Sequence, residues 1–242
     1  MRVLVVTAVA AEADAVVRAL AAEPVEVSVP GAVLRRADAP SAAVDVLAAG
    51  VGPAAAAAAA GSALAAAAAA GRPYGLVVSA GIGGGFAAGA PVASLVVSEA
   101  IVAADLGAET PDGFVPVTEL GFGAVEHTPP AALVAAVAGA TGAARGAVLT
   151  VSTVTGSPER AAGLTDRHPR ALAEAMEGFG VAEAAAAHGV PALEIRAVSN
   201  PVGPRDRAAW RIGDALAALT DAFRAFPFDR LPAVLQEGTV SP

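Results

Sequence analysis

Cysteine is absent from the 242 residues, which excludes disulfides, thiolate nucleophiles and zinc–thiolate centres. Histidine occurs three times, at positions 127, 168 and 188, with no spacing that would gather a metal site. No metal and no other cofactor is therefore expected. Charged residues are scarce, at 16%, and what charge there is leans acidic, with a formal net charge of −8. Without a basic face to neutralise phosphates, a nucleic acid or an anionic membrane is not an expected partner. Small nucleotide-like ligands are untouched by that argument. Long strongly apolar runs are missing too: the alanine run from Ala54 to Ala70 is broken by Gly61 and Ser62. Alanine is only weakly apolar, so a packed helix is expected there rather than a membrane span. The opening MRVLVVTAVAAEAD has the outline of a signal peptide, but its apolar run is short, β-branched and soon reaches Glu12 and Asp14. It reads as a buried strand, and a cytoplasmic location is expected.

Hydrophobic residues supply 55% of the chain, enough for one sizeable core. Residues 2–8 read as a doubly covered strand and 11–22 as a helix stopped near Pro24. Strands are expected around 25–29, 33–36 and 44–48. The tight turn Ala49-Gly50-Val51-Gly52-Pro53 feeds the alanine helix, and the next buried strand spans 75–80. Gly81-Ile82-Gly83-Gly84-Gly85-Phe86 then reads as a glycine turn, and 92–98 as a strand. Residues 104–130 read as a long irregular loop, of the kind that is functional or mobile inside compact domains. Pro129-Pro130 starts a helix through Val137, and 147–152 is a strand. A helix from near Pro169, a turn at 188–191, a buried strand to Asn200 and a last helix over 208–226 complete the pattern. The alternation of strand, turn and helix indicates an α/β sandwich. One domain over residues 1–226 and an irregular tail over 227–242 are expected.

Polar residues on such apolar elements need a reason, because burying them unpaired is costly. Glu12 follows the first strand, where open α/β sheets place ligands, although a first-turn glutamate equally suits the helix dipole. The glycines at 81–85 allow close backbone approach to a ligand, yet they lack the lysine of a phosphate-binding loop and the full dinucleotide fingerprint; a plain tight turn is the other reading. Glu177 sits with Met176 on the helix edge that borders the core, whereas Glu174 lies nearly opposite and is expected to be solvated. Asn200 ends a strand at Ser199-Asn200-Pro201, which ordinary turn chemistry would also explain.

In order along the chain, Glu12 after the first strand, the 49–52 turn, Ser79 through Gly85, Ala175-Met176-Glu177-Gly178 and Arg196 through Asn200 resemble the nucleoside phosphorylase/nucleosidase superfamily. The resemblance is closest to its methylthioadenosine/adenosylhomocysteine nucleosidase branch and reaches to about residue 225. It implies a three-layer sandwich, with a central mixed sheet flanked by helices, acting on a small purine nucleoside. Glu12 matches the carboxylate that activates the attacking water, and Glu177, with Met176 and Ala175, matches the ribose site. Gly81, Ile82 and Gly83 match the lining of the sugar and water site. Ser152–Thr155, centred on Thr153 and Val154, matches the base-reading segment, without the phenylalanine that the family carries beside it. Ser199 and Asn200 match the group that meets the leaving base. Adenine-specific members carry aspartate where this chain has Asn200. An amide offers one donor and one acceptor face, which suits a 6-oxo purine whose O6 accepts, so hypoxanthine is expected rather than adenine.

Asp105 through Phe114, Gly121-Phe122-Gly123 and Ser199 through Asp206 resemble a narrower group whose hypoxanthine nucleoside carries a carboxybenzoyl extension, which the 105–126 loop would cover. Phosphorolysis needs cations around a phosphate, and no arginine adjoins Glu12 or the 81–85 turn in the sequence, so hydrolysis is expected. A homo-oligomer is expected, as members of the superfamily usually associate. The other readings are a phosphorylase, an adenine nucleosidase, or a noncatalytic nucleoside-binding protein.

Overall fold

The β-branched run at the amino terminus becomes the middle of a mixed sheet. In the computed structural model, which describes residues 1–20, 22–86 and 89–237, the chain runs β1 (Arg2–Thr7), α1 (Ala10–Val17), β2 (Val25–Val29), β3 (Ala32–Ala39), β4 (Ala42–Ala48), α2 (Pro53–Ala69) and β5 (Leu76–Gly85). It continues through β6 (Leu95–Ala103), β7 (Gly107–Thr110), β8 (Gly113–Pro116), β9 (Glu126–His127), α3 (Ala131–Thr141), β10 (Ala144–Thr150) and α4 (Pro158–Arg167). It ends with β11 (Ala171–Ala175), α5 (Gly178–Ala187), β12 (Ala192–Pro201), α6 (Ile212–Arg224) and α7 (Leu231–Glu237).

The main sheet has the order β11-β10-β6-β12-β5-β1-β4-β3-β2, with β9 added on β6. β1 pairs in parallel with both β4 and β5, so its residues are covered on each face and read as an unbroken apolar run. Period-two alternation divides that run: Val3 and Val5 join one core with α1, α3, α6 and α7, while Leu4 and Val6 join a second with α2 and α5. Helices on both faces of a mixed sheet make the three layers that the sequence led us to expect. α2 and α5 lie so close that a Cβ at Gly180 would collide with the Pro53 carbonyl, which is why an alanine-rich helix faces a glycine there.

Several boundaries differ from the sequence reading. The expected helix from Pro169 is instead strand β11 followed by helix α5, with Met176 and Glu177 at the bend between them. Alanine has no strong period of its own, and what decides is pairing: β11 bonds to β10 in parallel and to β5 antiparallel, through Ala173↔Gly85 and Glu174↔Gly84. That second pairing closes β5, β12, β6, β10 and β11 into a ring. It also makes the expected glycine turn at 81–85 the second half of strand β5, held by β12 on one side and β11 on the other. The 104–130 stretch is not wholly irregular, since β7 and β8 form a hairpin and β9 joins the main sheet. The last helix begins at Ile212, after a 3-10 turn at Arg207–Ala209. The tail expected to be irregular forms α7, which places Leu231 and Val234 in the core; residues 238–242 lie outside the described residues.

Candidate functional site

Glu12 is the third residue of α1, and its side chain reaches back over the helix start. Oε2 accepts the amides of Ala8 at 2.9 Å and Val9 at 3.2 Å, while Oε1 accepts the Ile82 amide at 2.9 Å. One carboxylate thus accepts amides at the helix start and also reaches the carboxyl-terminal half of β5. It is buried, at 4% exposure, yet both of its oxygens accept backbone amides. The bonds to Ala8 and Val9 anchor it on α1, and the bond to Ile82 ties α1 to β5.

The carboxyl-terminal half of β5 carries almost no side chains, and the space is used by its neighbours. A Cβ at Gly81 would sit 2.5 Å from Glu12 Oε1 and 2.7 Å from Arg196 Nη1. One at Gly83 would sit 2.8 Å from the Glu174 carbonyl. These glycines are explained by close packing of charged side chains and of β11, not by a turn.

Glu177 stands at the bend after β11, buried at 5% exposure. Its Oε1 accepts the amide of Gly52 at 3.1 Å. Gly50 and Gly52 have φ of 96° and 94°, a backbone that L side chains rarely adopt, and so aim that amide at the carboxylate. Two of the sequence motifs, the 49–52 turn and Met176-Glu177, thus meet. Met176 beside it is half-buried and Ala175 is buried at the end of β11.

The sequence reading missed Arg196. Contrary to the expectation that no arginine adjoins Glu12 or the glycines, the Arg196 side chain lies against Gly81 and Gly83 at 1% exposure. Nε donates to Glu194 Oε1 at 2.8 Å, and Nη2 donates to Ser79 Oγ at 3.0 Å and lies 3.4 Å from Glu177 Oε2. Nη1 donates to the Ile82 carbonyl at 3.4 Å. Burial alone would lower the Arg196 pKa, but Glu194, Glu177 and Glu12 outweigh it and hold the guanidinium charged. The signal in the sequence was Glu194 and Arg196 two apart on an apolar strand, which puts both on one face.

At the end of β12, the Ser199 hydroxyl donates to Asn200 Oδ1 at 2.8 Å and lies 3.3 Å from the Gly83 carbonyl. Asn200 Nδ2 donates to the Pro201 carbonyl at 3.0 Å. The 152–155 segment, expected to read the base, is anchored at both ends. Ser152 N–H donates to Asp105 Oδ2 at 2.8 Å, Thr155 N–H to Glu174 Oε1 at 2.8 Å, and the Thr155 hydroxyl to Glu174 Oε2. Thr153 and Val154 between those anchors are exposed. Glu174, expected to be solvated, is buried at 4% exposure, because the strand period turns it inward. Burial pushes its carboxyl up, against the pull of the Thr155 bonds.

The structure therefore gathers Glu12, Gly81, Ile82, Gly83, Ser199 and Asn200 around the end of β5, and Arg196 links that group to Glu177. Thr153 and Val154 belong to a separate clamped segment at the end of β10, and no bond joins them to these residues. Asp206, at the end of the Ser199–Asp206 stretch, is exposed and caps the 3-10 turn through the Ala208 amide at 3.1 Å. Among the described residues no group of His, Asp or Glu could hold a metal ion, and no helix is long and apolar enough to cross a membrane.

A family model for the phosphorylase superfamily matches residues 2–226. The chain is 71% identical over 222 residues to a futalosine hydrolase of Streptomyces coelicolor, covering 92% of this chain and 93% of that one. It is 46% identical over 228 residues to a futalosine hydrolase of Acidothermus cellulolyticus, covering 92% and 88%. Its fold matches the native structure of a futalosine hydrolase of Helicobacter pylori with a TM-score of 0.80 at 17% identity, covering 93% of this chain and 97% of that chain.

Proposed function

This chain belongs to the phosphorylase superfamily, and on that premise we infer that it hydrolyses the N-glycosidic bond of futalosine, releasing hypoxanthine and dehypoxanthine futalosine on the route to menaquinone. The observation that carries the site assignment is the meeting of Glu12 and Glu177, from opposite ends of the chain, around Arg196 and the bare half of β5.

Breaking an N-glycosidic bond leaves oxocarbenium-like charge on the ribose and negative charge on the departing purine. A carboxylate has about four acceptor positions, and Glu12 spends two on Ala8 and Val9 and one on Ile82. The position left on Oε1 takes the attacking water and then its proton, general-base help worth about 10²–10⁴-fold. Glu177, steadied by the Gly52 amide and Arg196, has acceptor positions left for the ribose hydroxyls. Met176 packs beside the sugar. Ser199 occupies the Oδ1 side of Asn200 and the Pro201 carbonyl takes one Nδ2 hydrogen, which leaves the other to donate to O6 or N7 of a 6-oxo purine. Thr153 and Val154 offer backbone groups to the base edge.

Hydrolysis is favoured over phosphorolysis for a reason different from the one read in the sequence. An arginine is present, but Arg196 is surrounded by Glu194, Glu177 and Glu12, so its charge is more than spent. A phosphate dianion there would meet net negative charge.

We expect one catalytic domain that includes α7 beyond the expected boundary at residue 226, a cytoplasmic location and a homo-oligomer, the last checked by light scattering at micromolar concentration. The deciding experiment incubates the purified protein with futalosine, inosine and methylthioadenosine and identifies the base released. Hypoxanthine from futalosine without added phosphate is the expected outcome. Adenine as the main product, or ribose 1-phosphate formed only when phosphate is supplied, overturns the reading.

A further inference from the structure

Glu194 takes no part in the mechanism above, yet it is fully buried at 0% exposure. Its Oε1 accepts Arg196 Nε at 2.8 Å, and its Oε2 has no hydrogen-bond partner among the described residues. The backbone fixes it in place, since its amide donates to Ser98 Oγ on β6 at 2.9 Å. It also dictates its neighbour: a Cβ at residue 178 would collide with the Glu194 carboxylate, so the residue that follows Glu177 is glycine. A buried carboxylate with one oxygen unsatisfied is costly and calls for a compensating role.

We propose that ionised Glu194 is a positioning residue for the hydrolytic reaction: it holds the Arg196 guanidinium by Nε and takes up part of its charge, so that Arg196 orders Glu177 without suppressing the basicity of Glu12. The proposal rests on the assignment of Glu12 as the base. Among the described residues the charged groups facing this cluster are Glu194 and Arg196 on β12, Glu177 at the β11–α5 bend and Glu12 on α1; β5 and β6 contribute neutral groups, the Ser79 and Ser98 hydroxyls and the Ile82 carbonyl. Were Glu194 absent, the guanidinium would be shared by Glu177 and Glu12 alone. Both carboxylates would then be held more tightly by the guanidinium, and Glu12 would take the proton of water less readily. Burial, with Glu177 adding to it, pushes the Glu194 carboxyl above its ordinary value against the pull of Arg196. The contact with Nε is what favours the charged form.

Glu194→Gln keeps the shape and an acceptor for Nε and removes the charge. The expected result is a shift of the acid limb of the kcat/KM profile to lower pH, by about half to one unit, with a fall in kcat above the limb. Glu194→Asp, which keeps the charge but retracts it from Nε, is expected to shift the limb the same way by less. A folded Glu194→Gln protein with an unmoved limb overturns the proposal, however much its Tm has dropped. If Glu194→Gln does not fold, Glu194→Asp decides alone, with an unmoved limb again the overturning result. A readout without turnover is the Arg196 Nε–H resonance, assigned with Arg196→Lys. It is expected downfield and slow to exchange in the wild type and upfield in Glu194→Gln; an identical shift in both proteins means Glu194 is uncharged and overturns the proposal. If the wild type cleaves no purine nucleoside, the assigned function has failed, and the resonance still tests the charge on Glu194.

Discussion

The Ser199 hydroxyl donates to Asn200 Oδ1 at 2.8 Å, so the orientation of the Asn200 amide is set by its own neighbour in sequence. A site built to hydrogen-bond one base edge rejects another strongly, because the mismatch leaves buried polar groups unpaired. Asn200→Asp is expected to lower kcat/KM for futalosine by at least ~10²-fold and to improve the ratio of adenine to hypoxanthine nucleoside cleavage. Ser199→Ala, which frees the amide to flip, is expected to cost about tenfold, in line with one net hydrogen bond. Product analysis by chromatography, with both nucleosides in one tube, reads both outcomes.

Glu12→Gln keeps one acceptor oxygen, enough for the Ala8 and Val9 amides or for the Ile82 amide but not for both, and takes no proton from water. We expect kcat to fall by about 10²–10⁴-fold, with futalosine still bound by the ribose and base contacts. Steady-state kinetics together with isothermal titration separate the two quantities. Tight binding with near wild-type kcat would remove Glu12 from the role of base.

Gly81→Ala tests the geometry of the same carboxylate from the other side. Its Cβ would stand 2.5 Å from Glu12 Oε1 and 2.7 Å from Arg196 Nη1, so both groups must shift. A displacement near 1 Å at a reacting centre costs about 10²-fold in rate. The expected signature is a large loss of kcat with Glu12 chemically intact, measured alongside Tm to show that the fold persists.

Arg196→Met would leave Glu194 and Glu177 buried without their cation. Breaking a buried pair in this way costs about 3–5 kcal/mol, which for a chain of this length corresponds to a Tm drop of roughly 6–20 °C. Differential scanning calorimetry measures it directly. A Tm within two or so degrees of wild type would show that water already reaches the cluster.

A second buried cluster governs acid stability. Asp45 accepts Arg36 Nε at 2.7 Å, Arg36 Nη2 at 2.9 Å and the Tyr74 hydroxyl at 2.6 Å, and also pairs with Arg2. Burial would raise its pKa, but the bonds from Arg36, Tyr74 and Arg2 together outweigh it and hold the carboxyl below its ordinary value. The folded state then binds fewer protons at Asp45 than the unfolded state. Its stabilising contribution is therefore full above the ordinary carboxylate range and is lost as pH falls through the depressed folded value. The Tm difference between wild type and Asp45→Asn is expected to be largest near neutrality and to narrow steadily below about pH 4; a constant difference would contradict this.

What the sequence made legible is what local chemistry could mark. Glu12 at a helix start, the Gly50 and Gly52 turn and the Ser199-Asn200 strand end each carried their signal within a few residues, and the structure holds each of them by a specific hydrogen bond. Arg196 was missed because a charge on an apolar strand gains its meaning only from Ser79, Glu177 and Glu12, which other elements bring across. Glu174 was placed in solvent because a helical period was laid on a strand, where period two turns the side chain inward to Thr155. Glycine permits a turn as readily as an extended strand, so nothing in residues 81–85 alone could announce that β11 and β12 would pair on both sides.

The closure of β11 onto β5 through Gly84 and Gly85 also orders events in time. Glu174 pairs with Gly84 across a long stretch of chain, and the bonds from Gly52 to Glu177 and from Arg196 to Ile82 are no more local. Contacts of that span form only after loop-closure entropy has been met, so they belong to the slow part of folding. A ribosome that has released the first 190 residues has made Glu12 and Glu177 but neither Arg196 nor Asn200. On the proposed assignment of Arg196 and Asn200, the nascent chain is expected to be inert until β12 is added, with catalytic competence arriving in a single late step rather than building up with length.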